Sequence, residues 1–316
     1  MSGLITVFWK EFADDFTSWR FIILFILILM AGVLAIYVSA ETIKEVEVET
    51  HLVFLKLFTT SGEALPYSFL TFMAFFIPII GIVLGFDAIN REKNSGTLSR
   101  LLSQPIYRDA VINGKFLAGV ATMSIMLVCI VVLVAGVGLR MIGVPPSSEE
   151  VIRLVAFLVA SIIYGSFWLG LAMLFSVFFW RVATSAMASF AIWIFFIFFV
   201  AMLAGVIANM VAPVDEGSVL EELFRNAEVE IAVMRVSPIM LFQEATSVLL
   251  VPGLRTMGQM LQIQTSGMYE WMFPNPLSLG QSLLMVWPHL VSLIALTAIC
   301  FAISYIKFMR EEIRST

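Results

Sequence analysis

The stretch IPIIGIVLGFDAINREKNSGTLSRLLSQPIYRDAVINGKFLAGV, residues 77–120, decides how the rest of the chain is read. It begins and ends apolar. Between Phe86 and Asp109 it carries seven charged residues: Asp87, Arg91, Glu92, Lys93, Arg100, Arg108 and Asp109, with Lys115 just beyond. The apolar runs on either side extend over about 67–86 and 113–139, and a membrane-spanning helix needs roughly 20 apolar residues. The charged interval is therefore a polar connection between two spans.

Composition agrees. The chain has 316 residues, of which 60% are hydrophobic and 13% charged. A soluble domain carries about 25% charged residues. A fold wetted on all sides cannot be built at this composition, so the chain is an integral membrane protein. Cys129 and Cys300 both lie in apolar runs, where small buried hydrophobes are the expected role, not a disulfide or a metal pair. The first apolar run starts near Phe21, is long enough to span and has no small-residue cleavage site after it, unlike a cleavable signal.

Six spans are predicted: 21–39, 67–86, 113–139, 152–179, 182–210 and 288–307. The fourth and fifth form a hairpin around Arg181. An even number of spans puts both termini on one side, together with the 87–115 loop and the Arg181 turn. That side holds 11 of the 18 Lys and Arg, and the other holds 15 of the 23 Asp and Glu over about twice the loop length. Positive charge marks the cytoplasmic side, so both termini and the charged loop are expected in the cytoplasm, in a multi-pass plasma-membrane protein.

Residues 1–20 are too polar to span. Ile5, Phe8, Trp9, Phe12, Phe16 and Trp19 fall on one helical face, and Lys10, Glu11, Asp14, Asp15 and Ser18 on the other. This predicts an interfacial amphipathic helix on the inner leaflet. The segment 40–66 is acidic and then amphipathic. The segment 211–287 exceeds an ordinary loop and carries helix signals: Ser218 and Glu221 as a capping box, Ser237-Pro238 as a second start, and Val251-Pro252-Gly253 as a stop. It reads as a small helical extracytoplasmic region partly at the membrane surface. The whole is an all-α integral membrane fold, divided as helix 1–20, spans one to five over 21–210 with the loop 87–110, outer region 211–287, and sixth span and tail 288–316.

Catalytic signatures are missing. Gly114-Lys115 lacks the upstream glycine of an ATP-binding phosphate loop, no H-E-x-x-H or G-x-S-x-G occurs, and His51 and His289 stand alone, His289 as an interfacial residue. Ionisable residues lie only at span ends, with Arg153 and His289 outside and Asp87 inside, which disfavours an ion-coupled carrier. Six outer methionines, including Met257 and Met260, offer soft thioethers, but packing is the better reading. No cofactor, metal or nucleic-acid site is expected in this chain.

Within the charged loop, Ser95 or Thr97 can cap a short helix whose Leu98, Leu101 and Leu102 share an apolar face; Pro105 stops it and Asp109 can cap the next span. Such a helix, with Arg91, Glu92, Arg100 and Arg108 flanking the leucines, suits either docking into a partner's groove or resting on the inner leaflet.

The 77–120 run resembles the signature of type-2 ABC exporter permeases: a polarised end to the second span, E-x-x-x-G-T-L, L-L-S-x-P, an arginine, then G-K. The matching residues are Glu92, Gly96, Thr97, Leu98, Leu101, Leu102, Ser103, Pro105, Arg108, Gly114 and Lys115. The amphipathic start, SPIMLF at 237–242 and FMREEI at 308–313 are similar too. The nearest subgroup is the permeases of nitrous-oxide-reductase maturation and related sodium or antibiotic exporters; the long 211–287 segment departs from it. The resemblance implies a permease subunit that dimerises and couples to a separate ABC ATPase, which binds the ATP and Mg. The 87–110 loop would be the coupling helix, through Arg91, Glu92, Gly96, Thr97, Leu98, Leu101, Leu102, Pro105 and Arg108, with Arg181 a secondary contact. The cargo, or an outer partner receiving force, stays open, and so does the alternative of a secondary transporter or channel working without an ATPase, or an anchor, assembly factor or intramembrane enzyme.

Overall fold

The computed structural model describes residues 2–45, 52–62, 65, 67–97, 107–214, 220–254 and 277–310. They form helices α1 (Ser2–Phe16), α2 (Trp19–Glu45), α3 (Val53–Thr59), α4 (Phe69–Gly85), α5 (Asn90–Asn94), α6 (Arg108–Ile142), α7 (Ser148–Phe178), α8 (Val182–Val211), α9 (Leu220–Met234), α10 (Pro238–Leu250) and α11 (Leu279–Arg310). Six are long and apolar enough to cross a membrane: α2, α4 with its continuation into α5, α6, α7, α8 and α11. Each contains the core of a span expected from hydropathy. Large apolar side chains such as Ile23, Met30, Phe198 and Ile299 stand exposed around the perimeter, as a bundle surrounded by hydrocarbon requires.

α7 is the central post, packed against α4, α6, α8, α10 and α11. Its closest neighbour is α4. A Cβ on Gly81 would lie 2.8 Å from the Gly165 carbonyl oxygen, and one on Gly85 2.8 Å from the Leu169 carbonyl oxygen. The spacing Gly81-x-x-x-Gly85 lets two backbones meet where lipid offers no hydrophobic drive for association. Pro78 within α4 withholds the N–H that would serve the Ala74 carbonyl, and the buried Tyr164 of α7 serves it instead at 3.1 Å. α7 begins in a capping box, with Glu150 bonded to the Ser147 amide and Ser147 Oγ bonded to the Glu150 amide. A five-residue π-helical turn, Phe195–Phe199, interrupts α8.

Val7, Ile89, Val111, Val177 and Phe308 belong to one buried cluster. It joins α1, the end of α4, the start of α6, the end of α7 and the end of α11. Both ends of the described chain thus lie at one end of the bundle, with the 87–97 segment.

The outer segment departs from expectation. α9 lies where the Ser218 and Glu221 signal placed a helix, and is tied to the end of α8 by the Asn226 side chain donating to Asn209 and the Ala212 carbonyl. α10 is no surface element. Met240, Leu241, Phe242, Ala245, Val248 and Leu249 are all buried, between α7, α11, α4 and α3. An apolar helix of thirteen residues is too short to span and long enough to be embedded. Pro238 opens it as predicted and Val251 closes it, but the Ser237 hydroxyl makes no capping bond. The Ser218 half of the other capping box lies outside the described residues. Cys129, expected to be buried, is exposed on α6, and both cysteines are free.

Candidate functional site

At the end of the bundle that gathers both chain ends, α4 finishes at Gly85 and the chain turns into α5. The turn is held by α7: the Ile89 and Asn90 amides donate to Ser176 Oγ at 2.9 and 3.1 Å. Asn90 is fully buried, its Nδ2 donating to the Phe86 carbonyl. The exposed side of α5 then meets the α7–α8 turn. Lys93 donates to the Val177 carbonyl and lies 5.8 Å from the Trp180 ring, and Asn94 donates to the Trp180 carbonyl at 2.9 Å. Gly96 stops the helix at φ +66, a left-handed conformation that favours glycine. Ser95 Oγ and Thr97 Oγ1 both donate to the Glu92 carbonyl. These two hydroxyls therefore close α5.

Glu92 points inward, away from the α5 surface. Its Oε1 accepts from Lys115 Nζ at 2.9 Å, and the same ammonium lies 2.9 Å from Glu11 of α1. Lys115 is buried and bridges α1, α5 and α6. Lys10 adds contacts to Glu11 at 2.9 Å and Glu92 at 3.6 Å. Arg20 meets Asp87 at 2.6 Å and lies over the Phe86 ring. Burial pushes the Glu11 carboxyl up, but Lys115 outweighs it and holds the group below its ordinary range. Asp15 goes the other way: burial, with Glu11 beside it, raises its carboxyl to about 7.

The charged face of α1 is therefore only partly in water, where the amphipathic pattern suggested all of it: Lys10 and Asp14 stay exposed, but Glu11 and Asp15 do not. Val7 packs on Gly114, where an added Cβ would sit 2.9 Å from Val7 Cγ1. That close approach turns Glu11 and Asp15 towards Lys115 and leaves Ile5 and Trp9 exposed.

Of the residues singled out in the sequence, Arg91 is exposed and 4.0 Å from Asp87, Glu92 is half-buried against Lys115, and Gly96 and Thr97 end α5. Arg108 is the first residue of α6, about two turns before Lys115, and Tyr107 rather than Asp109 occupies its N-cap. Arg181 is exposed at the N-cap of α8. Leu98, Leu101, Leu102, Ser103 and Pro105 lie outside the described residues, as do His51, Met257 and Met260. Lys115 and Ser176 are the residues whose structural parts sequence reasoning missed. The signal for the first was a lysine inside an apolar run facing an acidic helix; a lone serine gave none for the second.

The opposite end has its own polar centre. Arg153, fully buried, donates to the Leu249 carbonyl at the end of α10, to the Leu277 carbonyl and Ser282 at the start of α11, and to Glu149. Glu150 accepts from the Phe54 amide of α3 at 3.0 Å as well as from its own helix start. On α10, Glu244 is buried between Arg235 Nε at 2.8 Å and His289 Nε2 at 3.1 Å. Burial would raise this carboxyl, yet Arg235 and His289 hold it down at about 2. His289 thus has the Glu244 carboxyl as its partner and is no lone interfacial residue.

Comparison with known proteins gives two matches. The model of the family described as ABC-2 family transporter protein matches residues 5–313. A probable ABC transporter permease protein, NosY of Pseudomonas aeruginosa, is 28% identical over 141 residues, 44% of this chain and 50% of that protein. The match spans about half the length of that curated relative.

Proposed function

This chain belongs to the ABC-2 family of transporter proteins, and on that premise we propose that it is the membrane-spanning permease subunit of an ATP-binding-cassette transporter. A separate ATPase subunit binds ATP and Mg, and two copies of the chain form the working unit, with both termini and the 87–110 loop in the cytoplasm. The observation that supports this best is the way Ser176 and the Trp180 carbonyl fasten α5 to the α7–α8 turn. A load on the 87–110 loop then reaches two spans, α4 and α7, at once, while Glu92 and Lys115 pass it to α1 and α6. Such a shared surface suits a motor that switches a bundle between two states.

The ATPase contact is the loop helix with Leu98, Leu101 and Leu102 as its apolar face, Arg91 and Arg108 beside it, and Arg181 as the second contact. The driven motion exports a substrate or delivers force to a partner on the far side. The test is co-purification with a cognate ABC ATPase subunit. Leu98→Asp with Leu101→Asp is expected to abolish capture while the permease stays in the membrane; undiminished capture sinks the assignment. Transport by the purified chain in vesicles without any ATPase would favour a secondary carrier instead.

A further inference from the structure

A cavity of about 800 Å³ lies between α1, the start of α2, the end of α4, α5 and the start of α6. It is polar at one end and apolar along its length. The polar end carries Lys10, Arg20, Arg91 and Lys115 against Glu11, Asp14, Asp15, Asp87 and Glu92. The apolar length is lined by Phe21, Leu24, Ile80, Val83, Leu84 and Met126. From Lys115 to Met126 is eleven residues of α6, about 16 Å at 1.5 Å per residue. That is half of a hydrocarbon core roughly 30 Å thick, the depth of one leaflet.

The charges at the polar end do not cancel among themselves. Lys115 is taken by Glu11 and Glu92, and Arg20 by Asp87. Asp14 has only Lys10, at 3.6 Å, and among the described residues no cation lies within ion-pair distance of Asp15. Glu92 Oε2 is buried with no hydrogen-bond partner. Across the mouth, Arg91 is exposed and reaches Asp87 only at 4.0 Å. The α1 side sets three carboxylates, Glu11, Asp14 and Asp15, against one lysine, Lys10, and the α5 side offers a guanidinium. Burial, with Glu11 beside it, raises the Asp15 carboxyl. The wall at Phe21 and Leu24 belongs to α2, whose exposed Ile23 and Ile26 face out of the bundle, so the cavity is one helix away from lipid.

We propose that this cavity holds one ammonium-bearing phospholipid of the phosphatidylethanolamine class, its amine on Asp14, Asp15 and the free oxygen of Glu92, its phosphate at Arg91, and one acyl chain along α2, α4 and α6. The bound lipid fills the seam between α1 and the spans. The site is independent of the ATPase assignment, since it requires only this chain and a bilayer.

The test is native mass spectrometry of the purified full chain in detergent, titrated with phosphatidylethanolamine, phosphatidylcholine and phosphatidylglycerol of identical acyl chains. Phosphatidylcholine keeps the phosphate and the positive charge but has no N–H to donate. One phosphatidylethanolamine per chain is expected, bound about tenfold more tightly than phosphatidylcholine, as one charge-assisted hydrogen bond predicts. Asp14→Asn with Asp15→Asn should bring that ratio to near one. Leu24→Trp, which fills the apolar length, should lose the tight site for all three lipids. Equal binding of the three lipids by the unaltered chain overturns the proposal, as does a preference surviving both variants. Competition by phosphoethanolamine as effective as that of the whole lipid overturns the acyl-chain part.

Discussion

The hydroxyl of Tyr164 donates to the Ala74 carbonyl at 3.1 Å, in the fully buried interface between α7 and α4. That carbonyl would be an orphan without it, because Pro78 has no N–H to close the helical bond. Tyr164→Phe should therefore destabilise the bundle by about 1–3 kcal/mol, the cost of a buried unpaired carbonyl. Pro78→Ala restores the helical donor, so the double variant should recover most of that loss. Denaturant unfolding of the four proteins in detergent measures the coupling; strictly additive effects would break the link between the two residues.

Gly85 separates the α4 and α7 backbones by less than a methyl group. Gly85→Val must push against the Leu169 carbonyl and the Ala172 Cβ, both at 2.8 Å, and overpacking of this kind costs about 1–3 kcal/mol. Gly136, about two turns from the end of α6, has open space where a Cβ would go. Gly136→Ala should be neutral or stabilising by up to about 1 kcal/mol through helix propensity. Paired thermal melts read both signs.

The two ends of the bundle should respond to pH in opposite directions. Glu244 lies at about 2 against an ordinary 4.5. A depressed carboxyl contributes stability that is present above pH 4.5 and is lost as the pH falls towards 2. Asp15 lies at about 7 against 3.8. A raised carboxyl contributes stability that is present below pH 3.8 and is lost as the pH rises to 7. Hydrogen exchange is expected to show α1 loosening between pH 5 and 7.5, a trend that Asp15→Asn removes. It should show the α10 region loosening only in acid, a trend that Glu244→Gln removes. An α1 whose exchange protection is the same at both pH values would refute the first half.

The spans were legible because each is a long apolar run, and hydropathy reports length and polarity directly. The loop was legible because seven charges crowd between two such runs. What escaped were interactions between distant segments. Glu11 and Lys115 are 104 positions apart, and a helical wheel of α1 has no means of showing that its charged face meets a lysine of another helix. α10 escaped because the same apolar residues suit a membrane surface or an interior; only its neighbours α7 and α11 decide between them. The Gly81-x-x-x-Gly85 spacing was visible, but its meaning depends on which helix lies across from it. The leucines of the loop lie outside the described residues, and the assignment of their face rests on spacing and family likeness.

The embedding of α10 has a consequence for biosynthesis. Translation delivers α10 before α11, and at 13 residues α10 cannot enter the bilayer as a span of its own. Its shelter is complete only once α11 has packed beside it and Arg153 can bond the Leu249 carbonyl and Ser282 together. The packing of α11 thus locks α10 into the bundle. A ribosome that stalls before residue 279 leaves an apolar helix with half its walls missing, a marker by which quality control can recognise the unfinished chain.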